Sequence, residues 1–299
     1  RAENLCLIVT GGVDAGQLLD VVDEALARSW PAQKVSQSKG LTRPWTTPVP
    51  PPTLPYASRD VVFPSADEAT GLVVCGWRAS KYGDPHTDCR ATLLWQYLCD
   101  GAASPMTKRF VDEGLCSGVF PSGDTFRIGY RQVWFDDVAT DSLERVQGEF
   151  DAALVEQSEK GIDPTRMRDI IARQKRKTLA ACEDDPCALL VSPVLKHFIY
   201  ADQRDETTTL KELGDALGLL EYAQSLDTET WDADLQKLAS SADERVWVVS
   251  RPSAAEASRQ RDEEESRKQA TIKREGPEGL KALQDKLDKA QEVNEREIP

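Results

Sequence analysis

Six prolines fall within twelve residues: Pro44, Pro48, Pro50, Pro51, Pro52 and Pro55. Proline fixes φ and lacks the backbone N–H, so neither a helix nor a central strand can run through such a patch. Residues 30–56 are therefore expected to form an extended linker laid over the surface. A short polyproline ligand for a signalling domain is the other reading of the same residues. Either way, the patch separates a short leading segment from a much longer body. With 299 residues, the chain has room for about two domains at ~150 residues each.

The leading segment opens with an apolar run, Asn4–Leu–Cys–Leu–Ile–Val9, of the length of a strand buried on both faces. A turn at Thr10–Gly–Gly–Val–Asp14 follows. A helix is then expected from about Ala15 to Arg28, with Leu18, Leu19, Val22, Ala25 and Leu26 on one stripe. The chain begins with Arg1 and not Met, so the natural start, with any targeting segment, is expected to lie upstream.

Beyond the prolines, strands are predicted at Arg59–Phe63 and Ala69–Arg78. Gly83–Asp84–Pro85 leads into a helix over Thr87–Leu98, striped by Ala91, Leu94, Trp95 and Leu98. Asp100–Gly101 should end it, because glycine tolerates the left-handed cap. Ser104 can then cap a second helix that has Pro105 in its first turn. Thr125–Phe135 alternates with period two. Phe126, Ile128, Tyr130 and Trp134 share one side, interrupted by Gln132, and Arg127, Gly129 and Arg131 take the other. A long helix is expected over 140–159, striped by Leu143, Val146, Phe150 and Leu154. Asp163–Pro164 starts another. Further helices are expected near 165–181, 187–201, 207–224 and 228–240, and a last strand at Arg245–Ser250. From Ala254 charge dominates, and Gly276–Pro277 breaks the run into two helices, expected as a hairpin. The second carries a narrow seam of Leu280, Leu283, Leu287 and Ala290 that needs a partner surface.

Charge restricts the partners. The formal net charge is −14, which argues against general binding to nucleic-acid phosphates. No apolar run approaches the ~20 residues of a membrane span, so no membrane partner is expected. An acidic interior could attract cationic peptides, and acidity also serves solubility. The seven cysteines (Cys6, Cys75, Cys89, Cys99, Cys116, Cys182, Cys187) are odd in number, with neither a disulfide framework nor paired CxxC spacing. Free thiols in a reducing compartment is the simplest reading.

Candidate sites are few. Asp84, His86, Asp88 and Cys89 carry donor atoms near a helix start, where caps and surface groups are the competing reading. Arg173–Gln–Lys–Arg–Lys177 is the most basic patch, either a phosphate or nuclear-localisation segment or a helix face paired with neighbouring acids. Arg127 and Arg131 would face a peptide chamber or form surface ion pairs. There is neither a phosphate-binding G-x-x-x-x-G-K-[ST] loop nor a G-x-S-x-G elbow, and Thr10–Gly11–Gly12 lacks the third glycine of a dinucleotide fingerprint. From these residues no catalytic, cofactor-binding or metal-ligating position is expected in this chain.

Two strands resemble each other across the chain. Glu3–Asn–Leu–Cys–Leu–Ile–Val–Thr10 and Asp243–Glu–Arg–Val–Trp–Val–Val–Ser250 each have a polar start and an apolar body, and each precedes a helix. On that repeat, residues 1–29 read as the C-terminal end of an upstream domain, 57–252 as a complete second domain, and 253–299 as a charged helical hinge. The alternative is coincidence between two ordinary strands.

The stretch Trp95–Leu115, with its Asp–Gly turn and Ser–Pro helix start, resembles a pattern of the pitrilysin/insulin-degrading (M16) zinc metallopeptidases. The element order from the first strand to the long helix is similar to the junction of the first two domains in large single-chain members. Arg274–Glu–Gly–Pro–Glu–Gly–Leu–Lys–Ala–Leu–Gln284, continuing to Asn294–Glu–Arg–Glu–Ile–Pro299, resembles the hinge of the presequence-protease-like branch. The resemblance implies an α+β fold, the LuxS/M16-metallopeptidase-like sandwich of an antiparallel sheet covered by helices. It implies zinc in the parent protein, with ligands outside this chain. The family's inverted H-x-x-E-H is missing: His86 is followed by Thr87–Asp–Cys–Arg90 and His197 by Phe198–Ile–Tyr–Ala201. It further implies peptide substrates, and as partners the upstream catalytic half and the downstream half of the same polypeptide. The implied role is a non-catalytic middle section, in the cytoplasm or alternatively the mitochondrial matrix. A non-catalytic binding or assembly subunit, of the processing-protease or respiratory-complex kind, is the alternative.

Overall fold

A computed structural model of the protein describes residues 5–29, 47, 50, 58–201 and 210–295. Apart from Thr47 and Pro50, the proline-rich segment lies outside the described residues, as do 1–4, 202–209 and 296–299.

The leading helix α1 (Ala15–Ser29) forms where its stripe predicts, and the Asp14 carboxylate accepts from Gln17 N at 2.9 Å. The expected strand at 4–9 does not form over its described part, residues 5–9. Leu5, Leu7 and Val9 are exposed, Leu7 by 60%. A strand is stable only with a ladder partner, and no described strand pairs with this segment.

Five strands build one sheet: β1 (Arg59–Pro64), β2 (Thr70–Lys81), β3 (Gly118–Asp124), β4 (Ile128–Ala139) and β5 (Val246–Ser253), in the order β1-β5-β2-β4-β3. It is antiparallel except at one edge, where β1 runs parallel to β5. β5 returns from far along the chain to lie between β1 and β2. Gly71 in β2 is required by that packing, since a Cβ there would sit 2.5 Å from Ser250 O. The edge strand β3 has no counterpart in the sequence reading. Gly118, Pro121 and Gly123 mask it, and an edge position is where a strand tolerates proline.

The helices cover one face. α2 (Pro85–Cys99) is capped by Asp84 and has Pro85 in its first turn. The Ser104–Pro105 start also forms as predicted: buried Ser104 Oγ accepts from Thr107 N at 3.2 Å. The helix then widens into a π-helical turn, Thr107–Asp112, after which Phe110 O accepts from both Leu115 N and Cys116 N. Next come α3 (Arg145–Lys160), α4 (Pro164–Asp184) and α5 (Pro186–Tyr200). α6 (Leu210–Gly214), α7 (Ala216–Ser225) and α8 (Thr228–Ser240) complete the layer.

The core lies between these helices and the inner residues of the strands. Val73 and Cys75 of β2, Val133 and Phe135 of β4, and Trp247 of β5 are buried. Phe150 of α3 enters this layer. Its ring lies 5.7 Å from Phe135, 5.5 Å from Trp247 and 6.2 Å from Trp95. The alternation of β4 is therefore real, but its burial is the reverse of the aromatic side. Gly129, Val133 and Phe135 face the helices, while Tyr130 is exposed and Trp134 only half-buried. A register shift in the β2–β4 pair, with Asp137 at φ 53°, returns Val138 to the buried side.

The charged C-terminal region is α9 (Ala254–Asn294). Its helical path is broken at Gly276 (φ 63°), where the sequence predicts the break. No residue of either arm is buried, and Ile272, Leu280, Leu283 and Leu287 are exposed.

The burial pattern separates two phenylalanines. Phe150→Ala should lower unfolding free energy by about 3–5 kcal/mol in urea denaturation. Phe120→Ala, on the uncovered side, should change it by less than about 0.5 kcal/mol. Equal losses would contradict the one-sided core.

Candidate functional site

The sheet face opposite the buried core carries exposed and half-buried apolar residues that core packing leaves unexplained. Strand pairing carries one row across all five strands: Arg59, Val248, Val74, Trp134 and Phe120. Neighbouring residues point alternately to the two faces, so this row is opposite the core-facing row of half-buried Val249 and buried Val73, Phe135 and Val119. Phe120 is 55% exposed, Val61 of β1 is exposed, and Leu72, Val74, Trp134 and Val248 are half-buried.

Toward the open ends of β2 and β4 the same face becomes polar. Gln132 Nε2 donates to Ser122 Oγ at 2.9 Å, and Arg78 Nη1 to Pro50 O at 2.8 Å. Phe126 stacks against Tyr130 at 5.8 Å and meets Tyr200 of α5 edge-on at 6.2 Å. Lys196 pairs with Asp124 here. Partial burial raises the Asp124 carboxyl, but the Lys196 bond and the Thr125 amide outweigh it, so the net shift is downward. An apolar floor with a polar margin suits an extended chain that presents apolar side chains and a solvated backbone.

The donor residues near α2 do not converge. Asp84 caps the helix through Thr87 N. His86 packs edge-on against Tyr222 at 4.4 Å. Asp88 pairs with Arg131 at 2.6 Å. The Cys89 thiol donates to Leu219 O at 3.7 Å and is pushed up to about 11 by burial, with Asp88 adding to the effect. His197 Nδ1 is 2.9 Å from the Tyr82 hydroxyl. Zinc requires deprotonated donors aimed at one point, and these residues do not fit it. Among the described residues no group of three or more His, Cys, Asp or Glu could hold a metal ion.

Arg131 follows the ion-pair reading, in a partly buried pair with Asp88. Arg131 faces neither chamber nor bulk solvent. It turns under α2, where Nη2 donates to Asp88 O, Asp88 Oδ1 and Thr92 Oγ1. In the basic patch, Arg173 pairs with Asp100 at 2.6 Å and Lys175 with Glu221 at 3.1 Å. That is the reading in which the helix face pairs with neighbouring acids.

The model of the M16 peptidase inactive domain matches residues 1–171. The chain belongs to the M16 peptidase family. An uncharacterised protein of Schizosaccharomyces pombe is 30% identical over 99% of the chain, and one of Saccharomyces cerevisiae is 23% identical over 100% of it. The chain spans 28% of the length of each of these relatives. Among solved structures, an M16-like peptidase of Alicyclobacillus acidocaldarius is similar over 81% of this chain and 53% of its own, at TM-score 0.56 and 22% identity. A protease of Helicobacter pylori is similar over 80% of this chain and 53% of its own, at TM-score 0.58 and 14% identity. These likenesses show the M16 fold, a five-stranded sheet with helices over one face. No helix among the described residues is long and apolar enough to cross a membrane.

All seven cysteines of this M16 chain are free thiols. Burial raises Cys75 and Cys99 furthest, and Cys116 is pushed up to about 11. Cys182 is exposed. A thiol with pKa about 11 is roughly one-thousandth thiolate at pH 8. Under native conditions Cys182 should react first with a disulfide reagent, Cys89 and Cys116 far more slowly, and Cys75 and Cys99 only on unfolding. Mass mapping of the labelled peptides checks that order.

Proposed function

We propose that this chain is a non-catalytic middle section of an M16 zinc metalloendopeptidase. Residues 57–252 form a complete second M16-like domain whose open sheet face walls a peptide chamber. Residues 1–29 end an upstream domain, residues 30–56 link the two, and residues 253–299 hinge toward the downstream half.

The observation that carries this reading is the row Arg59–Val248–Val74–Trp134–Phe120, which crosses the whole sheet opposite the buried core and stays exposed or half-buried. Further support comes from the exposed apolar side chains at both ends of the chain: Leu5, Leu7 and Val9 before α1, and Leu280, Leu283 and Leu287 in α9. Such surfaces gain free energy only when a further surface covers them. The parent would hydrolyse peptides with zinc-activated water. Its ligands would come from sequence outside this chain, since the donors near α2 do not fit the metal. Its compartment would be the cytoplasm or the mitochondrial matrix.

The test uses the full-length parent with an unstructured peptide. A photo-crosslinking side chain at Gln132, on the open face, should capture the peptide, and one at Lys175, on the helix side, should not. A zinc chelator should stop cleavage and leave the Gln132 crosslink in place. Crosslinking without any cleavage would favour the binding or assembly subunit. Cleavage with no crosslink from the open face would refute the chamber wall.

A further inference from the structure

On the helix side, away from the open sheet face, a cavity of about 390 Å³ lies between the π-helical turn, the end of α3 and the start of α4. Lys108, Arg109, Lys160 and Arg166 line it together with Glu113 and Glu156, and with Glu149 paired to Arg109 the group keeps a surplus of one positive charge in a chain whose net charge is −14. Arg109 is matched by Glu149 at 2.7 Å and, more loosely, by Glu156 at 3.9 Å. No ion pair holds Lys108, Lys160 or Arg166 among the described residues.

Arg166 is positioned without being neutralised. Nη2 donates to Tyr97 O at 3.0 Å and Asp100 O at 3.2 Å, and the guanidinium lies 5.2 Å from the centre of the Tyr97 ring. Its Nε is buried with no hydrogen-bond partner. Carbonyls and a ring face fix the orientation of the group but carry no net charge to balance it. Lys108 is presented by the π-helical turn, a distortion that occurs often at functional sites.

We propose that this cavity binds a phosphate-bearing small molecule. Lys108, Lys160 and Arg166 are three cations without an ion-pair partner on one space, and a phosphate group, with about −1.5 to −2 charge at pH 7 and three strong acceptor oxygens, can engage all three where a single carboxylate offers two oxygens. A fixed guanidinium supplies directional donors, and two lysines supply mobile point charges. The cavity volume suits an occupant from pyrophosphate to a nucleotide. This inference stands apart from the chamber reading and survives its failure.

The test is calorimetric titration of the 299-residue chain at constant ionic strength, with inorganic phosphate, pyrophosphate and ATP in separate arms and sodium chloride as the control. At least one phosphate arm should saturate. Pyrophosphate binding without ATP binding would indicate a site for the anion alone; tighter ATP binding would indicate a nucleotide site. Both lysines are exposed, so K108Q/K160Q should keep the native circular dichroism and melting temperature while weakening binding about tenfold or more. Lys175→Gln, outside the cavity, should bind as the parent sequence does. Absence of saturable binding in every arm, or binding unchanged in K108Q/K160Q, overturns the proposal.

Discussion

The ring of Phe150 holds the sheet to its helices. It is fully buried and meets Phe135 of β4, Trp247 of β5 and Trp95 of α2. Those partners come from sequence positions up to about a hundred residues away, so one α3 side chain ties three distant segments together. The Arg245 guanidinium also lies over this ring, 5.4 Å from its centre, with only 1% of the side chain exposed. Its charge is met by Asp151 on the next residue of α3 and by Leu238 O of α8. Burial raises the Asp151 carboxyl, and Arg245 lowers it only in part. Desolvation thus outweighs pairing for the acid, as expected where water is excluded. The pair is therefore weak evidence of net stability, but removing either partner would strand a charge beside the aromatic cluster.

Everything that Phe150 gathers lies on one face of the sheet, and the residues of the other face stay exposed or half-buried. The same alternation that buries Val133 and Phe135 turns Tyr130 and Trp134 outward. A sheet with one solvated face normally alternates apolar with polar residues. Here β4 places aromatic residues on the uncovered side, and Val248, Val74 and Phe120 extend the apolar surface across β5, β2 and β3. The departure from ordinary alternation is what makes this face a functional candidate.

Local rules in the sequence read well wherever local chemistry decides the outcome. Asp163 caps its helix as expected, Asp84 takes the capping role that competed with a metal site, Ser104 starts its helix, and Gly276 breaks α9. Rules that depend on distant partners read poorly. The aromatic side of β4 suggested the core, yet burial goes to the side that meets Phe150. Leu5–Val9 has strand composition but no described neighbour to pair with. β3 was hidden by its glycines and proline, because being an edge strand is a property of the sheet and not of seven residues. The basic cavity was illegible for the same reason. Tyr97, Lys108, Lys160 and Arg166 lie on four separate elements, and only packing reveals that they share a space.

The long arm α9 extends the same argument. Its first half is held by local pairs such as Arg259 with Glu256 and Glu263, and Lys268 with Glu264. These are exposed and screened by salt, so they favour helix without fixing its direction. Its start is better anchored, since Ser253 caps it and the Glu68 carboxylate accepts from Ala254 N. Beyond that anchor the leucine seam has nothing among the described residues to pack against. A helix with a firm root, a glycine break and an unburied apolar seam has local reasons to be helical but none to point one way. Its orientation must therefore come from whatever covers Leu280, Leu283 and Leu287, and the open face of the sheet likewise takes its meaning from what lies against Trp134 and Phe120.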